Sequence, residues 1–192
     1  PDVQFKMALD KDAAIEEFAP EISDIAASFP CSCKSNTALR KLREKDQNKR
    51  LLWYICNIPD KPNSVLHSEL CETRALASIG YLFGFDGFLR WAFTCWTENP
   101  LSDIRFNNTA LPAGDVNFIY PAKDGSLLLS VRYIALKKAI QDYELLLRLH
   151  EAGKSETAVK AVKTVLKNTN PESYMKTDFL ANDGIFSYDY SD

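Results

Sequence analysis

The chain has 192 residues, 46% of them apolar, which suits one packed domain or at most two small ones and excludes a disordered polypeptide. Its 23 Lys and Arg stand against 26 Asp and Glu, a net charge of −3, so the basic footprint of a nucleic-acid binder is missing. No apolar run approaches the roughly 18 residues that a membrane span requires, and the opening PDVQFK lacks the apolar centre of a signal segment. Partners of nucleic-acid or membrane type are therefore not expected. An opening on Pro1, with patterned sequence already from Val3, reads as a fragment of a longer protein.

The five cysteines, at 31, 33, 56, 71 and 95, are an odd number, so complete internal disulfide pairing is impossible. Cys31-Ser32-Cys33 is too tight for a zinc knuckle, and neither His67 nor His150 stands at metal-ligand spacing. No metal site is expected. Neither a G-x-G-x-x-G nor a P-loop occurs among the seven glycines, so no cofactor is expected either.

In chain order, Val3 to Leu9 alternates and then turns apolar, as a strand entering a buried sheet does. From Asp12 the spacing Ile15, Phe18, Ile22, Ile25, Phe29 follows one helical face, with Pro20 set to kink or restart the helix. Residues 34–50 carry seven Lys and Arg without interleaved aromatics, which favours a solvated helix or loop over a binding patch. LLWYICN, from Leu51, reads as a second buried strand. Ser68 is placed to cap a helix through Phe83, with Gly84 as its stop. Phe85 to Phe93 reads as a third strand, which makes strand, helix and strand alternate as in parallel βαβ packing.

Thr94 to Ser130 holds three prolines and two glycines, a long segment of the kind that wraps a site. It contains an Asn107-Asn108-Thr109 sequon. Ser130 caps a long helix with 136, 140, 143 and 147 facing inward and an end near Gly153. A further helix starts at Ser155, with Ala158, Val159, Val162, Val165 and Leu166 on one face. The tail mixes Tyr174, Phe179, Phe186, Tyr188 and Tyr190 with acids. Residues 1–150 are expected to form the α/β unit, with 151–192 as a helix and tail packed on the same domain.

Parallel strands in one sheet bring their C-terminal ends to one rim, where α/β enzymes place their sites. That rim collects Asp10, then Asn57 and Asn63, then Trp91, Thr94 and Trp96. A carboxylate among indoles and amides suits a sugar, whose ring offers C–H faces to aromatics and hydroxyls to amides. Each residue also has a plainer role. Asp10 can cap the next helix, Trp91 can be core, Asp86 can form the turn into its strand, and Arg132 can pair with Asp142 or Glu144 between helices.

The succession L-D at 9 and 10, WYICNIPDKPNSVLHS at 53–68, DGFLRWAFTCW at 86–96, PLSDIRF at 100–106, AGDVNFIYP at 113–121 and SVRYIALKKAIQDYE at 130–144 resembles the C-terminal part of the catalytic domain of glycoside hydrolase family 123, formerly domain of unknown function 4091. The resemblance implies an α/β fold, the C-terminal part of a (β/α)8 TIM-type barrel. It also implies a glycosidase acting on β-linked N-acetylhexosamine glycans of the N-acetylgalactosamine type, secreted or periplasmic. Family members use substrate assistance: the sugar's 2-acetamido oxygen attacks the anomeric carbon, one carboxylate orients that group, and an adjacent glutamic acid protonates the leaving oxygen.

The family's Asp-Glu pair falls on Asp10 and Lys11, so the orienting carboxylate is present and the acid position holds a lysine. A lysine with a pKa near 10.4 is a poor proton donor to a glycosidic oxygen. Tyr54, Asn63, Trp91, Trp96 and Asp103 are the candidate substrate-binding residues. Three readings follow: a glycoside hydrolase domain, a carbohydrate-binding relative impaired in catalysis, and a structural part of a larger protein. A closed barrel takes about 250 residues, so the sheet is expected to be completed by an upstream segment of the parent protein or by another copy of the chain.

Overall fold

A computed structural model of the chain describes residues 4–103, 111–166 and 168–175. Four short strands, β1 (Lys6–Leu9), β2 (Asp24–Ser28), β3 (Arg50–Tyr54) and β4 (Gly87–Leu89), form one sheet in that order. All three pairings are parallel, with Leu9 beside Ala27, Ala27 beside Trp53, and Trp53 beside Phe88. Parallel neighbours need crossovers, and helices supply them. α1 (Asp12–Phe18) joins β1 to β2; α2 (Phe29–Lys34) and α3 (Asn36–Lys45) join β2 to β3; α4 (Leu70–Phe83) joins β3 to β4. The fold is mixed α/β, a parallel four-strand sheet alternating with helices, as in a partial α/β barrel. Among the described residues this sheet does not close.

The single helical face expected from Ile15 to Phe29 is corrected. The helix stops at Phe18, a short 3₁₀ turn carries Pro20, and Asp24 to Ser28 is a strand buried at every position. A strand covered on both faces loses the alternation that would betray it, and Ile22 and Ile25 fit a helical spacing by coincidence. Phe29, expected to close that helix, instead opens α2 behind a Ser28 cap. Glu69, rather than Ser68, caps α4, through a reciprocal capping box with Glu72. Gly84 ends it with φ of 67°, a left-handed stop that a side chain would strain.

The core gathers on Trp53, 1% exposed. Phe83 meets its ring edge-on at 5.2 Å, Phe88 lies 4.9 Å away, and Phe29 stacks between this cluster and Tyr174. Burial pushes the Tyr174 hydroxyl and the Cys33 thiol far above their ordinary ranges. β5 (Ile119–Pro121) and β6 (Leu127–Leu129) pair antiparallel within the long segment between Thr94 and Ser130. α5 (Val131–Glu151) and α6 (Ser155–Val165) follow. α5 faces the core with Ala135, Leu136, Ala139 and Leu146, while Ile140 is 57% exposed, a correction to the expected 136, 140, 143, 147 face. α5 packs along α4, where Tyr143 comes within 3.7 Å of the position a Cβ on Gly80 would take. Ala158, Val162 and Leu166 are buried on α6, with Val159 and Val165 partly so. The sequon and the aromatic tail positions 179, 186, 188 and 190 lie outside the described residues.

One of the charges assigned to a solvated segment is buried. Lys49 is 7% exposed, and its ammonium donates to the carbonyls of Ala19, Pro20 and Ile22 at 3.2, 2.7 and 2.8 Å. It ties the entrance of β3 to the turn before β2. Lys49→Met is expected to remove the ammonium that these carbonyls share and to lower stability by about 2–3 kcal/mol, read as a lower urea midpoint at unchanged slope. A midpoint equal to wild type would show that the three bonds contribute nothing.

Candidate carbohydrate site

The strand tips define the rim. β1 ends into Asp10 and Lys11, β3 ends at Tyr54 and leads to Cys56 and Asn57, and β4 ends into Arg90 and Trp91. Asp10 is exposed, and its charge reaches across the neighbouring tips. Burial pushes the Tyr54 hydroxyl up to about 12, and the Asp10 carboxylate adds to that rise. Burial likewise raises the Cys56 thiol, with Asp115 and Asp10 contributing and Arg90 opposing them. Parallel pairing in one sheet is what brings the tips of β1, β3 and β4 to the same edge.

Asp115 is the most constrained group at this rim. Arg90 Nη2 donates to its Oδ1 at 2.6 Å and also to its backbone carbonyl. Trp91 Nε1 donates to its other carboxylate oxygen, Oδ2, at 2.9 Å. The Arg90 and Asp115 side chains are each 1% exposed. Behind them Arg132, on the first turn of α5, donates to the carbonyls of Ser64, Gly114 and Asn117 at 2.9, 2.8 and 2.6 Å. Phe118 lies between the two guanidiniums, 5.3 Å from Arg90 and 4.6 Å from Arg132 to the ring centre, a cation–π arrangement on both sides. Burial pulls the Arg132 guanidinium below its ordinary value.

Gly114 makes this packing possible. Its φ is 81°, and a Cβ there would stand 2.7 Å from Leu66 Cγ and 3.0 Å from the Arg132 guanidinium carbon. Gly114→Ala combines a left-handed backbone with an overpacked contact, for an expected loss of about 2–4 kcal/mol. A thermal melt checks it; a shift too small for 1 kcal/mol would mean that the loop moves aside freely.

A family profile described as glycoside hydrolase 123, catalytic domain, matches residues 1–150. The chain belongs to the glycoside hydrolase 123 catalytic-domain family. Among solved structures, a family 123 glycoside hydrolase from Clostridium perfringens, described for glycolipid glycan hydrolysis, superposes with a TM-score of 0.71. Identity is 23%, over 84% of this chain and 29% of that one, so the likeness concerns the fold. The family 123 domain spans less than a third of that enzyme's length. No curated protein matches it.

In the family 123 domain Asp10 and Lys11 both lie at the tip of β1, with Lys11 in extended backbone before α1. Tyr54 is half-buried at the tip of β3. Trp91 is 48% exposed and Trp96 37%, the latter donating its indole N–H to the Ile119 carbonyl at 2.6 Å. Asp103 is partly buried, its carbonyl accepting from Thr97. Asn63 sits beneath the rim, 2% exposed, with its amide donating to the carbonyls of Cys56 and Pro59 and its oxygen accepting from Ser64 N. Its backbone N–H donates to Glu72, whose carboxyl burial pushes up. These bonds make Asn63 a brace for the loop after β3.

Asp86 lies at the opposite end of the sheet, where it holds Arg43 through two bonds of 2.6 Å and accepts Leu51 N at 2.7 Å. A cavity of about 640 Å³ opens there, away from Asp10. Arg132 pairs with neither Asp142 nor Glu144; Asp142 takes Arg74 instead. Among the described residues no group of His, Cys, Asp and Glu is arranged to hold a metal ion. Sequence reasoning passed over Arg90, although it adjoins Trp91 in the DGFLRWAF motif.

Proposed function

We propose that the family 123 domain forms the C-terminal part of a (β/α)8 barrel in a glycoside hydrolase acting on β-linked N-acetylhexosamine, of the N-acetylgalactosamine type. In this reading Asp10 orients the sugar's 2-acetamido group, whose oxygen attacks the anomeric carbon. Tyr54, Trp91 and Trp96 line the sugar, with Asp103 in the flanking loop. The open edge at β1, where Phe5 is 62% and Met7 40% exposed, is the side on which further strands of the parent protein or a second copy would add. The observation that carries the reading is the family match over 1–150 together with Asp10 directly after β1 and Tyr54 at the end of β3, two strands of the same parallel sheet. The glycolipid glycans associated with the Clostridium perfringens enzyme supply the first substrates to try.

Lys11 favours a second reading, a carbohydrate-binding relative with impaired catalysis, because the group beside Asp10 is an ammonium rather than a carboxylic acid. One experiment separates the two. The parent protein is assayed on a chromogenic β-N-acetylgalactosaminide and titrated calorimetrically with N-acetylgalactosamine. Turnover supports the hydrolase, binding without turnover supports the relative, and the absence of both would sink the carbohydrate reading.

A further inference from the structure

Arg90 and Trp91 are consecutive residues at the tip of β4, and neighbouring side chains on an extended chain normally diverge. Here both converge on one carboxylate: Oδ1 of Asp115 accepts from Arg90 at 2.6 Å and Oδ2 accepts from Trp91 at 2.9 Å. The ion pair is 1% exposed on both sides, and Arg90 Nε and Nη1 are buried without a hydrogen-bonding partner. A pair this dry is commonly no more stabilising than apolar residues of the same size, so packing alone does not account for it. What it does is present a fixed acceptor to an indole that is otherwise 48% exposed.

We propose that Asp115, held in place by Arg90, is a positioning residue that fixes the Trp91 indole as a preorganised wall of the sugar site. The proposal rests on reading the rim as a carbohydrate site. An exposed side chain that must be ordered by its ligand weakens binding, by an amount that corresponds to roughly 2- to 10-fold in Kd per side chain. The carboxylate removes that cost by gripping the ring through its N–H edge while leaving part of the ring surface exposed. Trp96 is the internal control, since its indole N–H is held by the backbone carbonyl of Ile119 and does not depend on Asp115.

The test follows the indole N–H signals of the ¹⁵N-labelled parent protein and its titration with N-acetylgalactosamine. Asp115→Asn strips Arg90 of its counter-charge and risks the fold, so the main variant is Arg90→Met with Asp115→Leu, which removes both charges and keeps the volume. In that variant the Trp91 indole N–H is expected to exchange with solvent at least about tenfold faster while that of Trp96 is unchanged, and Kd to rise roughly 2- to 10-fold. In a Trp91→Ala background the double replacement should change Kd no further, which a purely structural role would not produce. An unchanged Trp91 signal, or an unchanged Kd with the indole freed, overturns the proposal alone. Failure of the wild-type parent protein to bind the sugar overturns the carbohydrate reading, and this proposal with it.

Discussion

Lys11→Glu in the parent protein is expected to raise hydrolysis of a chromogenic β-N-acetylgalactosaminide by about 10²–10⁴-fold, the usual contribution of a well-placed general acid. An ammonium group is a far weaker acid than a carboxylic acid and a poor proton donor to a glycosidic oxygen. A glutamic acid in that position can be kept protonated by its carboxylate neighbour. The backbone at residue 11 is extended, with φ of −129° and ψ of 137°, and its side chain caps nothing, so the exchange carries no conformational penalty. Turnover by the wild type that the substitution leaves unchanged would show that residue 11 is not the acid position. A bell-shaped pH profile appearing only in the variant would identify the new acid directly.

Arg132→Met is expected to cost about 3–4 kcal/mol, among the largest losses available to a single substitution away from the rim surface. Arg132 occupies the first turn of α5, where the helix dipole disfavours a cation, yet it is 3% exposed. Its compensation is the fan of carbonyls from Ser64, Gly114 and Asn117, with the Tyr120 hydroxyl at 3.3 Å. Methionine fills the space and leaves those carbonyls without a donor in a dry interior. Arg132→Lys keeps the charge without the fork and should lose roughly half as much. Urea unfolding measures both, and a loss under about 1 kcal/mol for methionine would mean that water replaces the guanidinium. Because the fan joins the loop after β3 to the segment carrying Asp115, the same substitution should also weaken sugar binding.

Much of the sheet was legible from residue pattern. β1 falls within one of the apolar runs read as strands and β3 overlaps the other, α4 ends at Gly84 as expected, and Ser130 caps α5 through Tyr133 N. These are local signals, fixed by side-chain chemistry within a few residues. β2 was not legible, because DIAAS is short, rich in alanine and buried throughout, which leaves neither period to read. The β5–β6 hairpin was hidden for another reason: Leu127, Leu128 and Leu129 are all exposed, so the run that looks like core is not in it.

The candidate site divides in the same way. Asp10, Lys11, Tyr54 and Trp91 were singled out as candidates by their places at strand ends and by the family motifs that contain them. The burial of Arg90, Asp115 and Arg132 was not foreseen, because a charged residue reads as surface until its partners are known. Those partners are far off in sequence: Asp115 lies 25 residues from Arg90, and Ser64 lies 68 from Arg132. Sequence alone determined that this is an α/β chain of the family 123 type with a lysine after its strand-end aspartate, since composition, caps and motifs are local properties. Only the tertiary structure decided which charges leave water and which aromatic is held by a carboxylate, since burying an ion is tolerable only where distant segments bring it donors or acceptors.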